Sequence, residues 1–175
     1  MHSPFISGSK HLLKSWKALR GSMTSELSDL DHLKMVCQFW SKAPLGPHAI
    51  DWDRPSAWPD PWQLVSSAEF DESSVALAMF YTLHLSEDGR WDGARLRLML
   101  VRDPYRSVQR IVLSVDDRWL LNLDYNTVLD TNTEVVSHHI QQRYAYDGKI
   151  HSVLEASYRD SVINEKPDKM LSHGS

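Results

Sequence analysis

The side chains that could do covalent chemistry in this sequence do not fall into a recognisable catalytic motif. The single cysteine, Cys37, lies in SDLDHLKMVCQFWSK, where Leu30, Leu33, Val36, Cys37 and Trp40 recur at helical spacing. A thiol in the middle of such an apolar stripe packs as a small hydrophobe and has nothing to lower its pKa. Ser73 and Ser74 open the run SSVALAMFYTLHL, and a hydroxyl there becomes a nucleophile only beside a base. Among nine histidines, His84 and His139 are the bases available for such a pairing, and Asp124, after the apolar WLLNL, is a carboxylate that could orient one. His138 and His139 are adjacent and would point to opposite faces of a strand. No HExxH or CxxC spacing occurs, so no metal ligand set is expected. The seven glycines stand singly, with neither a phosphate-binding loop nor a GxSxG elbow, and no cofactor is expected. The carboxylate pairs Asp71/Glu72 and Asp116/Asp117 read as a helix start and a tight turn.

The elements that must position these groups follow from periodicity. HLLKSWKALRG places Leu12, Leu13, Trp16 and Leu19 on one helical face and Lys10, Lys14, Lys17 and Arg20 mostly on the other. Ser28 with Asp31 reads as a capping box, Asp60 followed by Pro61 as the start of a short helix through about Ser67, and Asp71 as the cap of a helix that is apolar nearly all round. Such a helix is covered on most sides. Three strands follow, with Leu96, Leu98 and Leu100, then Ile111, Leu113 and Val115, then Trp119, Leu121, Leu123 and Tyr125 on one face each, most simply as an antiparallel meander. Asp147-Gly148 between RYAY and KIHSV signals a further hairpin. Between the helices, residues 43–62 hold five prolines in twenty positions. Trp52, Trp58 and Trp62 in that stretch either fold over the core or form a contact surface.

A chain of 175 residues with 42% hydrophobic and 24% charged content is one domain's worth and can bury a core without disulfides. The expected organisation is an arm with an amphipathic helix over 1–21, one α+β domain over 22–157 with the core helix packed on the meander, and a polar tail over 158–175. The net charge of −4 provides no bulk field for phosphate backbones, so nucleic acid is not an expected partner. No apolar run nears the roughly 18 residues that span a bilayer, and the first residues lack a secretory core.

FDESSVALAMFYTL followed by QRIVLSVDDRWLLNLDYN resembles the core of the transglutaminase-like cysteine peptidase fold. The resemblance implies a nucleophilic Cys at the N-terminus of the core helix, a His on one following strand and an Asp on the next. Carried onto this chain, the nucleophile falls near residues 71–74, where there is no cysteine; the base falls on VQRIVLSV, which has no histidine; and Asp124 falls where the third residue would. DHLKMVCQFWSKAP and WPDPWQLV also resemble small proteins of tailed bacteriophages.

The expectation drawn from these features is a non-catalytic assembly protein, a virion neck, tail or baseplate accessory subunit. It would be made in the host cytoplasm and act on other protein subunits through Leu12, Trp16, Leu19, Trp52, Trp58 and Trp62. Its rivals are a divergent hydrolase or amidase using Cys37, Ser73 or Ser74 with Asp124 and one of the histidines, or a host-directed regulatory protein.

Overall fold

The structure is a computed structural model that describes residues 3–6, 8–47 and 50–153, and the backbone of 161–162. Four helices, α1 (Ser9–Ser22), α2 (Asp29–Trp40), α3 (Pro61–Ser67) and α4 (Glu72–His84), precede seven strands: β1 (Leu96–Arg102), β2 (Gln109–Val115), β3 (Trp119–Leu121), β4 (Leu129–Asp130), β5 (His139–Tyr146), β6 (Ile150–Val153) and β7 (Ser161–Val162). The architecture is α+β, with α4 laid across one face of the sheet.

Helix starts are written locally. Ser28, Asp60 and Asp71 each accept a hydrogen bond from the backbone N–H three residues on, and the side-chain oxygens of Asp31, Gln63 and Ser74 each accept one from the cap residue's own N–H. These reciprocal pairs satisfy donors that the first helical turn otherwise leaves without partners. Pro61 begins α3 where its missing N–H is harmless. In α4, every residue from Ser73 to Leu83 is buried.

The antiparallel sheet runs β4-β3-β2-β1-β5-β6, with β7 also paired to β5. The expected meander is its β1-β2-β3 portion, in which Leu98 faces Leu113 and Val115 faces Trp119. Asp116 and Asp117 turn the chain between β2 and β3, both at positive φ as a type I′ turn requires. The Asp147-Gly148 signal marks the β5-β6 connection, whose loop has three residues because Tyr146 pairs with Ile150. What local pattern could not show is the insertion of β5 beside β1, with a register shift between Leu100 and Val101.

The sheet is buried on both faces. Leu96, Leu98, Leu100, Ile111, Leu113, Val115 and Leu121 face the helices in the main core. Met99, Val101, Val112, Leu120, Leu129, Val136 and Ile140 form a second core behind it. The alternation puts Met99 on the polar side with Arg95 and Arg97; it is buried instead, because the segment carrying Leu129 and Val136 covers that side.

Two boundaries read from the sequence shift. Helix α1 is not an appended arm: Leu12 and Trp16 are buried in the main core, and α1 packs on α3 and α4. Phe5 stacks against Phe39, Trp40 and Phe70. Of the tail expected over 158–175, residues 161–162 form β7 and the rest lie outside the described residues. Among the described residues no helix is long and apolar enough to cross a membrane.

Candidate functional site

The N-terminus of α4 abuts the beginning of β2 and the end of β3. Ser73 makes that junction: its Oγ accepts from the Ile111 N–H at 3.1 Å and from the Trp52 indole at 3.2 Å. One residue earlier, Glu72 projects from the first turn of α4, and its carboxylate pairs with Arg110 of β2 at 3.2 Å. The residue just past β3 is Asn122. Its φ of 72 is a left-handed conformation that Asn tolerates better than most side chains. From there the Asn122 amide donates to the Glu72 carbonyl at 2.6 Å and to the Ile111 carbonyl at 3.0 Å. Three side chains, from the helix start, from β2 and from the residue after β3, therefore converge, and the carboxylate lies at the positive end of the α4 dipole.

They line a cleft of about 160 Å³ together with Cys37, Trp40, Val75, Met79 and Asp124, with Leu45 and Tyr125 at its rim. Leu45 and Tyr125 are 56% and 75% exposed. The Glu72–Arg110 pair is itself half open to solvent. An ion pair this exposed contributes about 0–1 kcal/mol to stability.

Chemically, the three side chains offer no thiol, hydroxyl or imidazole. A guanidinium stays protonated and cannot act as a general base, and Glu72 is paired to it. The arrangement can orient and hydrogen-bond a polar group.

The residues singled out by sequence are distributed differently. Cys37 lines the same cleft, yet it is only 2% exposed and burial pushes its thiol up to about 12. The group stays protonated at neutral pH, its Sγ 3.8 Å from the Thr127 carbonyl. Asp124 also reaches the cleft but turns its carboxylate to the Tyr125 N–H. Ser73 is used up in the helix-to-strand junction and Ser74 in the α4 cap. His84 sits at the opposite end of α4, stacked on Phe80, and His139 is on β5 opposite Arg102. None of these brings a base to Cys37 or to a serine. Among the described residues no group of three or more His, Cys, Asp and Glu side chains could hold a metal ion.

The expected contact residues also separate. Leu12 and Trp16 are internal, so neither is a free surface: the Trp16 indole donates to Thr82 Oγ1 at 2.9 Å. Leu19 and Trp52 pack against the core, and Trp58 is buried, donating to the Asp51 carbonyl and stacking on Tyr144. The proline-rich stretch folds its rings inward because the Trp52 and Tyr144 polar atoms find partners there. Only Trp62 of the six is largely exposed, at 54%.

The sequence reading misses Arg110 and Asn122 as site residues and sees in Glu72 only part of a helix start. The signal was present in Asn122, a polar residue interrupting the apolar run WLLNL.

No protein-family model matches the sequence, and no curated protein matches it. Solved structures do. LapG of Legionella pneumophila superposes with a TM-score of 0.64 at 16% identity over 87% of this chain and 80% of that one. Its calcium-bound form gives 0.65 at 13% identity over 97% and 92%. Its EGTA-treated form gives 0.64 at 16% over 87% and 82%. The chain has a LapG-like, transglutaminase-like α+β fold.

Proposed function

We propose that this chain is a transglutaminase-like protein that has exchanged the chemistry of its fold for recognition, holding a polypeptide segment in the α4 cleft without cleaving it. The observation that carries this reading is the Glu72–Arg110 bridge with Asn122. Glu72 and Arg110 stand on the segments where the resemblance calls for nucleophile and base, and Asn122, just past β3 and two residues before the Asp124 that the resemblance puts third, is the side chain that reaches Glu72. A cleft rimmed by exposed Leu45 and Tyr125, with polar groups at its floor, suits an extended peptide.

The test is to put the chemistry back. The variant Glu72→Cys/Arg110→His/Asn122→Asp should gain a thiol that iodoacetamide alkylates at least tenfold faster than a free cysteine at pH 7, while wild-type protein stays unlabelled and turns over no peptide. A new thiol no more reactive than free cysteine would mean that the three positions do not form a catalytic frame. Peptide hydrolysis by the wild type, lost on mutation of a cleft residue, would defeat the recognition reading.

A divergent hydrolase is the second reading. The LapG-like fold and the presence of Cys37 and Asp124 in one cleft favour it over a virion role, and rapid labelling of native Cys37 would support it. The raised, buried thiol argues for slow labelling. An assembly function survives in this proposal as protein contact; a bacteriophage context draws no support from the fold.

A further inference from the structure

The solvent face of α1 carries Lys10, Lys14, Lys17 and Arg20 and no acidic residue, in a protein whose net charge is −4. Like charges three and four residues apart repel along a helix. None of Lys14, Lys17 and Arg20 forms an ion pair among the described residues. These three border a groove of about 260 Å³ between α1 and α3, lined also by Leu13, Trp16 and Trp62. Arg20 lies 4.0 Å over the Trp16 ring and 6.0 Å from that of Trp62, and the two rings meet edge to face at 5.8 Å. Its Nε is buried without an acceptor, so the guanidinium's donors are not saturated. Glu87, the nearby carboxylate, donates its backbone N–H to the Arg20 carbonyl and leaves the guanidinium unpaired.

We propose that this groove docks an acidic segment of a partner polypeptide, its carboxylates on Lys14, Lys17 and Arg20 and its apolar side chains against Trp62. Charge complementarity selects the occupant. The cations step along the helix by about 5 Å per turn, and alternate residues of an extended strand repeat every ~7 Å, close enough for long, flexible lysines to follow. Arg over an aromatic floor accepts a carboxylate while keeping its cation–π contacts. A half-exposed tryptophan beside it provides the large apolar contact typical of protein interfaces. The site is separate from the α4 cleft and does not depend on what the cleft does.

The probe is a fluorescein-labelled peptide of alternating Glu and Leu, followed by polarisation on the full chain at low salt. Binding should weaken at least tenfold in Lys14→Glu/Lys17→Glu and in Trp62→Ala, and be unchanged in Lys149→Glu, an equally exposed cation on the β5-β6 hairpin outside both sites. Both lysines and Trp62 are exposed, so these variants keep the core; Arg20→Lys, which retains the charge, should show an intermediate loss. Absence of saturable binding, or binding indifferent to the lysine and Trp62 changes, overturns the proposal. So does equal affinity for a Lys–Leu peptide, a single-stranded oligonucleotide or phosphatidylserine vesicles.

Discussion

Helix α4 meets polar partners at both ends of its buried length and treats them in opposite ways. Near its C-terminus, Thr82 is completely buried, donates to the Ala78 carbonyl, and accepts the indole N–H groups of both Trp16 and Trp40 at 2.9 Å. One hydroxyl thus ties α1, α2 and α4 together, and every polar atom involved is satisfied in the absence of water. At the N-terminus, Glu72, Arg110 and Asn122 meet in an open cleft, where solvent screens the ion pair and could replace it. The difference teaches where this fold can change its chemistry: polar residues in the interior are held by the cost of leaving them unpaired, and those at the cleft are not.

Four measurements break or sharpen that contrast. Thr82→Val strands two buried indole donors, each worth about 1–3 kcal/mol when left unmade. It should therefore cost ~2–5 kcal/mol in denaturant unfolding, or roughly 10 °C in Tm for a chain of this size. A loss below 1 kcal/mol would show that the interior end is no more constrained than the cleft. Next comes His32, fully buried between Trp91 and Thr24. Its Nδ1 accepts from the Trp91 indole at 3.0 Å and its Nε2–H donates to the Thr24 carbonyl at 2.9 Å. His32→Ala leaves both groups unpaired beside a cavity and should cost about 2–4 kcal/mol.

At the cleft, Glu72→Ala should change stability by no more than ~1 kcal/mol. A cost above 2 kcal/mol would make the bridge a structural strut and remove the reason for assigning it to recognition. The smallest effect belongs to Asp29, which pairs with Arg90 and Arg95 at 3.0 and 2.7 Å. Partial burial opposes its ionisation, and hydrogen bonds from Arg95 and Arg90 outweigh that and hold the carboxyl below its usual range. A depressed folded value means the stabilisation is present above the ordinary Asp range and lost as pH falls through it. Asp29→Asn should lower stability at pH 7 by only about 0.5 kcal/mol, and the difference from wild type should vanish as pH falls below about 4, flattening the acid limb of the stability curve; an unaltered acid limb would show that the pair is fully screened.

How much was legible divides along the range of the interactions. The caps at Ser28, Asp60 and Asp71, the α4 burial and the β1-β2-β3 meander are spelled out within a few residues, and the sequence reading has them. Asp124, which the resemblance puts in the third position, does line the cleft, but the chain turns at Asn122, and it is Asn122 that reaches Glu72. Arg110 was hidden because a cation at the edge of a strand looks like an ordinary solvent-facing residue until α4 brings a carboxylate to it. For Leu12 and Trp16, helical periodicity shows that the face is apolar and cannot say whether its cover comes from the same chain or from a partner; the cover is the chain's own core.

The second core behind the sheet bears on motion. Val101 and Val112 are fully buried members of strands packed on both faces, so their amides should exchange with solvent deuterium only when the whole domain opens. Arg110 and Ser73 hang from that slowest-exchanging strand pair, one on β2 and the other bonded to it. Local breathing of the Trp62 side or of the 147–149 hairpin can then proceed for many cycles while the floor of the cleft keeps its shape.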